Sequence, residues 1–428
     1  RFGAQNKWAN FPSVALGWNI ANESFFENSG IATTMNKLKL RGSWGLTGNS
    51  EIPVYNSLAN LNEYNYVIGG SLVLGLADGR LSNSDLKWET TTMRNIGLDA
   101  SFFNNRLNLT LDYFNNKTED LLLFVSIPSS LGFQSILKNS GSLENKGFEV
   151  GLDGYIVNND NFKWNLAGNL SILRNRLTSL GDSTPFFSST TSGHLGVEGS
   201  WVEAGNPIGV WRGYDYIGIF QSAEEIANNP SRSGDQPGYP RYRDVNGDGE
   251  ITPDDYTIIG DPNPDFTWGL NSTFTYKNFD MSIFFRGSQG FDVRNLQASE
   301  LGDGVQKINQ IASILTDSWT PQNTDATRPI IDGNRDFANS YRDSDYFIED
   351  GSFIRLQNVS LGYTLPSFSE LITRARVYVS GQNLLTITDY SGFDPEVNNR
   401  GQNNLNRGDD YDAYPRSRTL TVGVNLEF

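Results

Sequence analysis

The 428-residue chain has no Cys, one His, and 33 Lys plus Arg against 49 Asp plus Glu, a net charge of −16. Those counts exclude disulfide stapling and thiolate metal centres, make a His-based triad or multi-His zinc site untenable, and argue against a nucleic-acid partner. No apolar run approaches the ~20 residues that a membrane helix needs, whereas 43 Gly, 12% aromatics and recurring Asn suit many strands joined by polar loops.

The chain opens on Arg1 in a polar stretch without a signal sequence, and reads as a piece of something longer. Period-two alternation then recurs from end to end, the pattern of a strand with one apolar and one polar face. Val14, Leu16, Trp18 and Ile20 begin it; Leu38, Leu40, Trp44 and Leu46 follow, interleaved with Lys37, Lys39, Arg41 and Ser43. Ile96 to Phe102 and Leu107 to Tyr113 flank a tight turn at Phe103 to Arg106. Phe148 to Ile156 and Phe162 to Ile172 flank another at Asn158 to Asn161. Phe266 to Tyr276 and Met281 to Phe285 are joined through Lys277 and Asn278. Phe353 to Thr364 breaks phase, because Val359, Leu361 and Tyr363 share it with Arg355 and Gln357, and a bulge is expected there. Ala375 to Val379 and Leu420 to Phe428 bring the count to about eleven strands, most of roughly 9–11 residues, the length that crosses a bilayer at a tilt.

Long connections alternate with the tight turns: Gly48 to Met93, Asn115 to Gly147, Asn175 to Asp265, Gly287 to Ser352 and Leu385 to Ser417. Outer-membrane barrels place short turns in the periplasm and long loops outside. The expected fold is therefore all-β, a transmembrane antiparallel β-barrel in contact with outer-membrane lipid, ending at the periplasmic face with Phe428. Eleven strands leave edges near Val14 and Thr421 that lipid cannot satisfy, so further strands must pair with both. Trp164, Trp268, Phe274 and Tyr276 are expected to face lipid, and Lys163, Asn165, Thr267, Asn271 and Thr273 the lumen.

A set of short motifs runs through the chain in order. They are Phe11-Pro12-Ser13-Val14 with Gly17-Trp18, Leu40 through Gly45, Trp88 through Thr91, and Gly141 through Glu149. Further on come Tyr242 through Asp255, Trp319-Thr320-Pro321 with Asn323, Gly351 through Leu356, and Leu361-Gly362-Tyr363. Gly381 through Leu384, Gly392 through Glu396 and the terminal Phe428 complete it. Over essentially its whole length the chain thereby resembles the SusC/RagA-type TonB-dependent transporters of Bacteroidetes. The resemblance implies a barrel of roughly 22 strands around an N-terminal plug, of which residues 1–428 are the C-terminal half. It also implies TonB coupling through a plug absent from this sequence, and a SusD-like surface lipoprotein as lid.

Within the 175–265 loop, residues 244–255 follow twelve-residue calcium-loop spacing, with Asp244, Asn246 and Asp248 at positions 1, 3 and 5. Gly249 supplies the sharp turn, Glu250 its carbonyl, and Asp255 the last carboxylate. All are hard oxygen ligands, so the expected ion is a structural Ca2+, with Mg2+ the alternative. Trp201, Trp211, Tyr214 and Tyr216 are candidate substrate platforms, with Phe220 beside them; packing within the loop is the commoner role for such rings. Val305, Ile308, Ala312 and Leu315 recur at helical spacing in the 287–352 loop, which is expected to carry a short helix. No acid/base constellation suggests an enzyme. Active import of a nutrient oligomer, glycan or peptide, is the expected function; a passive porin or surface ligand-binding barrel is the alternative.

Overall fold

The computed structural model describes every residue except 129, 131, 134, 189–194, 303, 305–307, 334–340, 367–370, 398–400 and 402. His194 and Val305 lie outside the described residues. Eleven strands form one sheet: β1 (Ser13–Asn19), β2 (Met35–Asn49), β3 (Glu89–Phe102), β4 (Leu107–Glu119), β5 (Ser142–Asn158) and β6 (Phe162–Ser179), then β7 (Phe266–Tyr276), β8 (Phe279–Gln289), β9 (Phe353–Thr364), β10 (Arg374–Thr388) and β11 (Thr419–Glu427). Each pairs with the next, so the sheet is a meander. The chain folds as two compact units, residues 1–154 with 171–185 and 203–206, and residues 155–170 with 186–202 and 207–428.

In the first unit the apolar phases line up across the ladder. Trp18 sits opposite Leu40, Leu40 opposite Leu98, Leu98 opposite Leu111, and Leu111 opposite Val150. The other face is polar and ion-paired: Arg41 reaches Asp99 at 2.9 Å and Asp112 at 3.0 Å. The 50–88 connection holds a hairpin, Asn60–Ile68 with Ser71–Arg80, whose turn uses Gly69 and Gly70 at φ +60 and +82. Val67, Ile68, Leu72, Leu74 and Leu76 stand exposed on it. Phe2, Ile52, Leu86 and Leu137 make a small buried cluster with Trp88 against it.

The second unit repeats the logic. Phe274 pairs with Met281, Met281 with Leu361, Leu361 with Val379, and Val379 with Val422. Trp164 stacks on Phe274 at 5.6 Å and donates Nε1–H to Ser272 at 2.8 Å, which puts all three on one face. Arg376 on the opposite phase donates Nε–H to Asp280 at 2.8 Å. The expected bulge is present. Gln357 is the extra residue against β8, and on β10 it faces two residues, Asn383 (φ +53) and Leu384. Its side chain accepts from Arg286 Nε at 2.7 Å and donates to Asn383 Oδ1 at 2.9 Å.

Two expectations need correcting. Only β7, β8 and β11 keep to roughly 9–11 residues; β1 has 7, and β2 to β6, β9 and β10 run from 12 to 18 residues, longest in β5 and β6. Beyond the hydrocarbon both faces of a strand can be polar, so alternation fades while the hydrogen-bond ladder continues. The helical spacing in the 287–352 loop does not form one helix either. Ile308 to Ile311 are non-helical, and the loop's short helix lies instead at Leu296–Gly302, with a single turn at Ile314–Asp317. Four apolar residues mark a helix only when the intervening backbone closes its own hydrogen bonds, and Gln310 instead donates its side-chain amide to Glu300 O and accepts from Gly304 N–H.

Candidate functional site

The long connections are sheets in their own right. Within the second unit, Trp211–Gly213 pairs with Thr257–Gly260, and Tyr216–Ile219 with Pro240–Tyr242. Asp292–Asn295 pairs with Ile348–Asp350 on one side and, in parallel, with Asp409–Asp410 on the other. That three-stranded sheet is pinned by a buried ion pair. Arg294 holds Asp409 through Nε at 2.9 Å and a terminal nitrogen at 3.1 Å, with side chains only 4% and 1% exposed. Its remaining arm donates to Glu198 O at 2.8 Å. Asp343 is half-buried close by and joins two segments: its carboxylate accepts the Glu198 N–H and its carbonyl the Tyr214 N–H. Burial pushes its pKa up to about 6.

The aromatic candidates fall into this packing. Trp211 is fully buried and leaves no clearance: a Cβ on Gly260 would approach its ring to 2.9 Å, and one on Gly408 to 2.8 Å. Tyr214 is buried, stacked on Tyr242 at 4.6 Å and met edge-on by Tyr256. Phe220 is buried as well. These three offer no open ring to a ligand, because desolvating them stabilises the loop sheets. Half-buried Trp201 has the Arg212 guanidinium over its ring at 4.6 Å, and half-buried Tyr216 meets Tyr346 edge-on at 5.1 Å.

The 244–255 segment is a tight turn closed by its own hydrogen bonds. Asp244 accepts the N–H groups of Gly247 at 2.7 Å and Gly249 at 2.9 Å, Asn246 that of Asp248, and Asp248 that of Glu250. Asp255 is buried and accepts from Val245 and Thr252, capping the short turn Pro253–Asp255. Among the described residues no group of three or more His, Cys, Asp or Glu side chains converges as a metal set.

The open space lies elsewhere in the same unit. A cleft of about 690 Å3 has its floor on β7 and β8, with Trp268 and Gly269 facing Gly287 and Arg286 across the ladder. Gly287 is required there, since a Cβ would stand 2.5 Å from Trp268 Nε1. Glu396, Arg407 and Arg416 from the β10–β11 connection line the cleft with Arg286. Glu396 is the hub. It accepts from Arg286, from Arg355 at 3.0 Å and from Arg416 at 3.2 Å. Arg355, 1% exposed, also donates to Asp394 at 2.6 Å. Burial alone would raise the Asp394 carboxyl, but the Glu396 N–H and Arg355 hold it below the usual carboxylate range. Arg407 is exposed and makes no polar contact among the described residues. This centre escaped sequence reasoning, although two signals pointed to it. Arg355 and Gln357 interrupted the apolar phase of β9, and Asp394-Pro395-Glu396 stood among the ordered motifs.

The profile described as TonB dependent receptor-like, beta-barrel, matches residues 1–257. TonB-dependent receptor P3 of Formosa agariphila is 41% identical over all of this chain and 42% of its own length. TonB-dependent receptor SusC of Bacteroides thetaiotaomicron is 31% identical over all of this chain and 41% of its own. A solved structure of the RagAB peptide transporter superposes with a TM-score of 0.82 and 29% identity, over the whole chain and 44% of the solved one. The chain thus spans about two fifths of the length of the curated relatives it matches.

Proposed function

The chain belongs to the TonB-dependent receptor β-barrel family, on its SusC/RagA-type branch, and from that premise we propose that it supplies strands, loops and a cargo cleft to an outer-membrane importer of nutrient oligomers. The family is one of receptors and transporters in the outer membrane, not of enzymes. The observation that carries the import reading is the cleft built on β7 and β8 and walled by loop residues, on a sheet whose opposite face is apolar. Polypeptide outside these residues, contributing a plug and further strands, completes the barrel by pairing with β1 and β11, whose apolar residues are open in this chain. TonB acts through that plug. A SusD-like lipoprotein covers the loops, and the exposed apolar hairpin at 60–80 offers it a surface.

Import is read from accumulation of fluorescent oligosaccharides and oligopeptides in cells with and without the receptor gene. Accumulation is expected to vanish on deletion and on collapsing the proton-motive force. Accumulation that survives the collapse makes the barrel a passive porin instead.

We propose further that residues 244–255 take one Ca2+, with Asp244, Asn246, Asp248, the Glu250 carbonyl and Asp255 as ligands. The donor set is compatible, because the Asp244 and Asp248 oxygens and Asp255 Oδ2 each retain a lone pair beyond the hydrogen bond they accept, while Asp255 Oδ1 is taken up by the Val245 and Asn246 N–H groups. Free Ca2+ at about ten times its Kd is expected to slow proteolysis within this segment of the intact receptor by about tenfold. Mg2+ should protect less, and Asp248→Asn should abolish the effect. Equal cleavage with Ca2+ and with chelator leaves the turn to its hydrogen bonds alone.

A further inference from the structure

Resting on the import reading, we propose that the cleft selects cargo by charge, and that it takes an acidic oligosaccharide whose carboxylate or sulfate groups seat on Arg407 and Arg416. The chain as a whole carries −16, yet among the described residues the cleft lining holds three arginines, Arg286, Arg407 and Arg416, against one carboxylate, Glu396. A cationic cleft in a strongly acidic protein runs against the general field of the molecule, so it concentrates anions only locally. The three arginines are not equivalent. Arg286 is committed to Gln357 and Glu396. Arg416 spends only its Nε on Glu396 and is half exposed, which leaves its terminal nitrogens open to the cleft. Arg407 has no polar partner among the described residues. A guanidinium presents two parallel donors at the spacing of a carboxylate or sulfate edge, so both free forks suit such anions better than a lysine would.

The same residues say what carries the anion. Phe284 lines the cleft on the same face as Arg286, and a flat aromatic face beside guanidinium groups suits the C–H face of a sugar ring. An extended peptide is held most generally by adding a strand to a free sheet edge. The floor offers none, because β7 and β8 are interior strands whose backbone groups are used by their neighbours. Recognition therefore falls to side chains. Glu396 has its own part: it holds Arg286, Arg355 and Arg416 together and keeps the cation cluster from repelling itself apart.

Calorimetry on the intact receptor in detergent tests this, using trigalacturonate, its neutral methyl ester and a sulfated galacto-oligosaccharide. The acid is expected to bind at least about tenfold more tightly than the ester at low salt, with the margin shrinking as salt rises. Arg407→Gln with Arg416→Gln should erase that margin while the heat-modifiable gel mobility of the folded barrel is kept. The carboxylate and sulfate arms show which anion the forks prefer. Equal binding of acid and ester overturns the proposal, as does a margin that survives the double substitution. So does tetraglutamate occupying the cleft in a way these substitutions abolish, with no acidic saccharide binding. Loss of import with these affinities intact condemns the transport reading alone, and the reverse pattern condemns only the charge selection.

Discussion

Replacing Arg294 with Met is expected to raise the rate of proteolytic nicking around Asp292–Asn295 by about two to four orders of magnitude. The expectation follows from what the substitution leaves behind. Asp409 is 1% exposed and receives two charge-assisted bonds from Arg294. Without that partner a carboxylate stays buried with the counter-charge of its bidentate pair gone, at a cost of about 3–5 kcal/mol. The pair itself adds little net stability, because much of its Coulombic gain offsets desolvation. Arg294→Met with Asp409→Leu should therefore recover most of the resistance. Limited proteolysis of the folded receptor, comparing the single and the double variant, decides it. Equal sensitivity of the two would show that packing of the segment, and not the unpaired charge, sets its stability.

The second large effect separates the two faces of β7. Leu270 shares its phase with Ser272 and Phe274, the face on which Trp164 stacks. Asn271 points the other way and accepts a hydrogen bond from Ser282 Oγ at 3.1 Å. A charge on the lipid face near mid-bilayer costs about 2–4 kcal/mol in such barrels, and a charge in the lumen far less. Leu270→Arg should consequently lower the amount of heat-modifiable receptor in the outer membrane severely, whereas Asn271→Arg should assemble. Comparable amounts of both variants would mean that the face assignment of this hairpin is inverted.

The eleven-strand meander was legible because alternation is a local property, decided by neighbours two residues apart. Long connections were legible as lengths but not as structures. Pairings such as Arg294 opposite Asp409 join residues far apart in sequence, and nothing in a two-residue period encodes them. For the same reason the burial of Trp211 and Tyr214 under the loop sheets was not legible: both stood as candidate platforms, with packing within the loop as the commoner role. The arginine cleft lay between the two cases. Its residues broke a pattern visibly at Arg355 and Gln357, but the partners that explain the break, Glu396 and Asn383, come from later segments.

The double bulge at Gln357 and Asn383 bears on assembly fidelity. A slip of one residue between strands turns every side chain to the wrong solvent, and the bilayer rejects it. A slip of two residues keeps each side chain on its proper face, so hydrophobicity cannot detect it. β9 and β10 have a second check. Gln357 faces Asn383 and Leu384 in one alignment only, and in that alignment it holds Arg286 and Asn383 together. Shifted by two, each strand would meet the other's irregularity with a regular stretch, leaving backbone donors unpaired where no water can reach them. The irregularity thus acts as a vernier mark, fixing an alignment that polarity leaves degenerate.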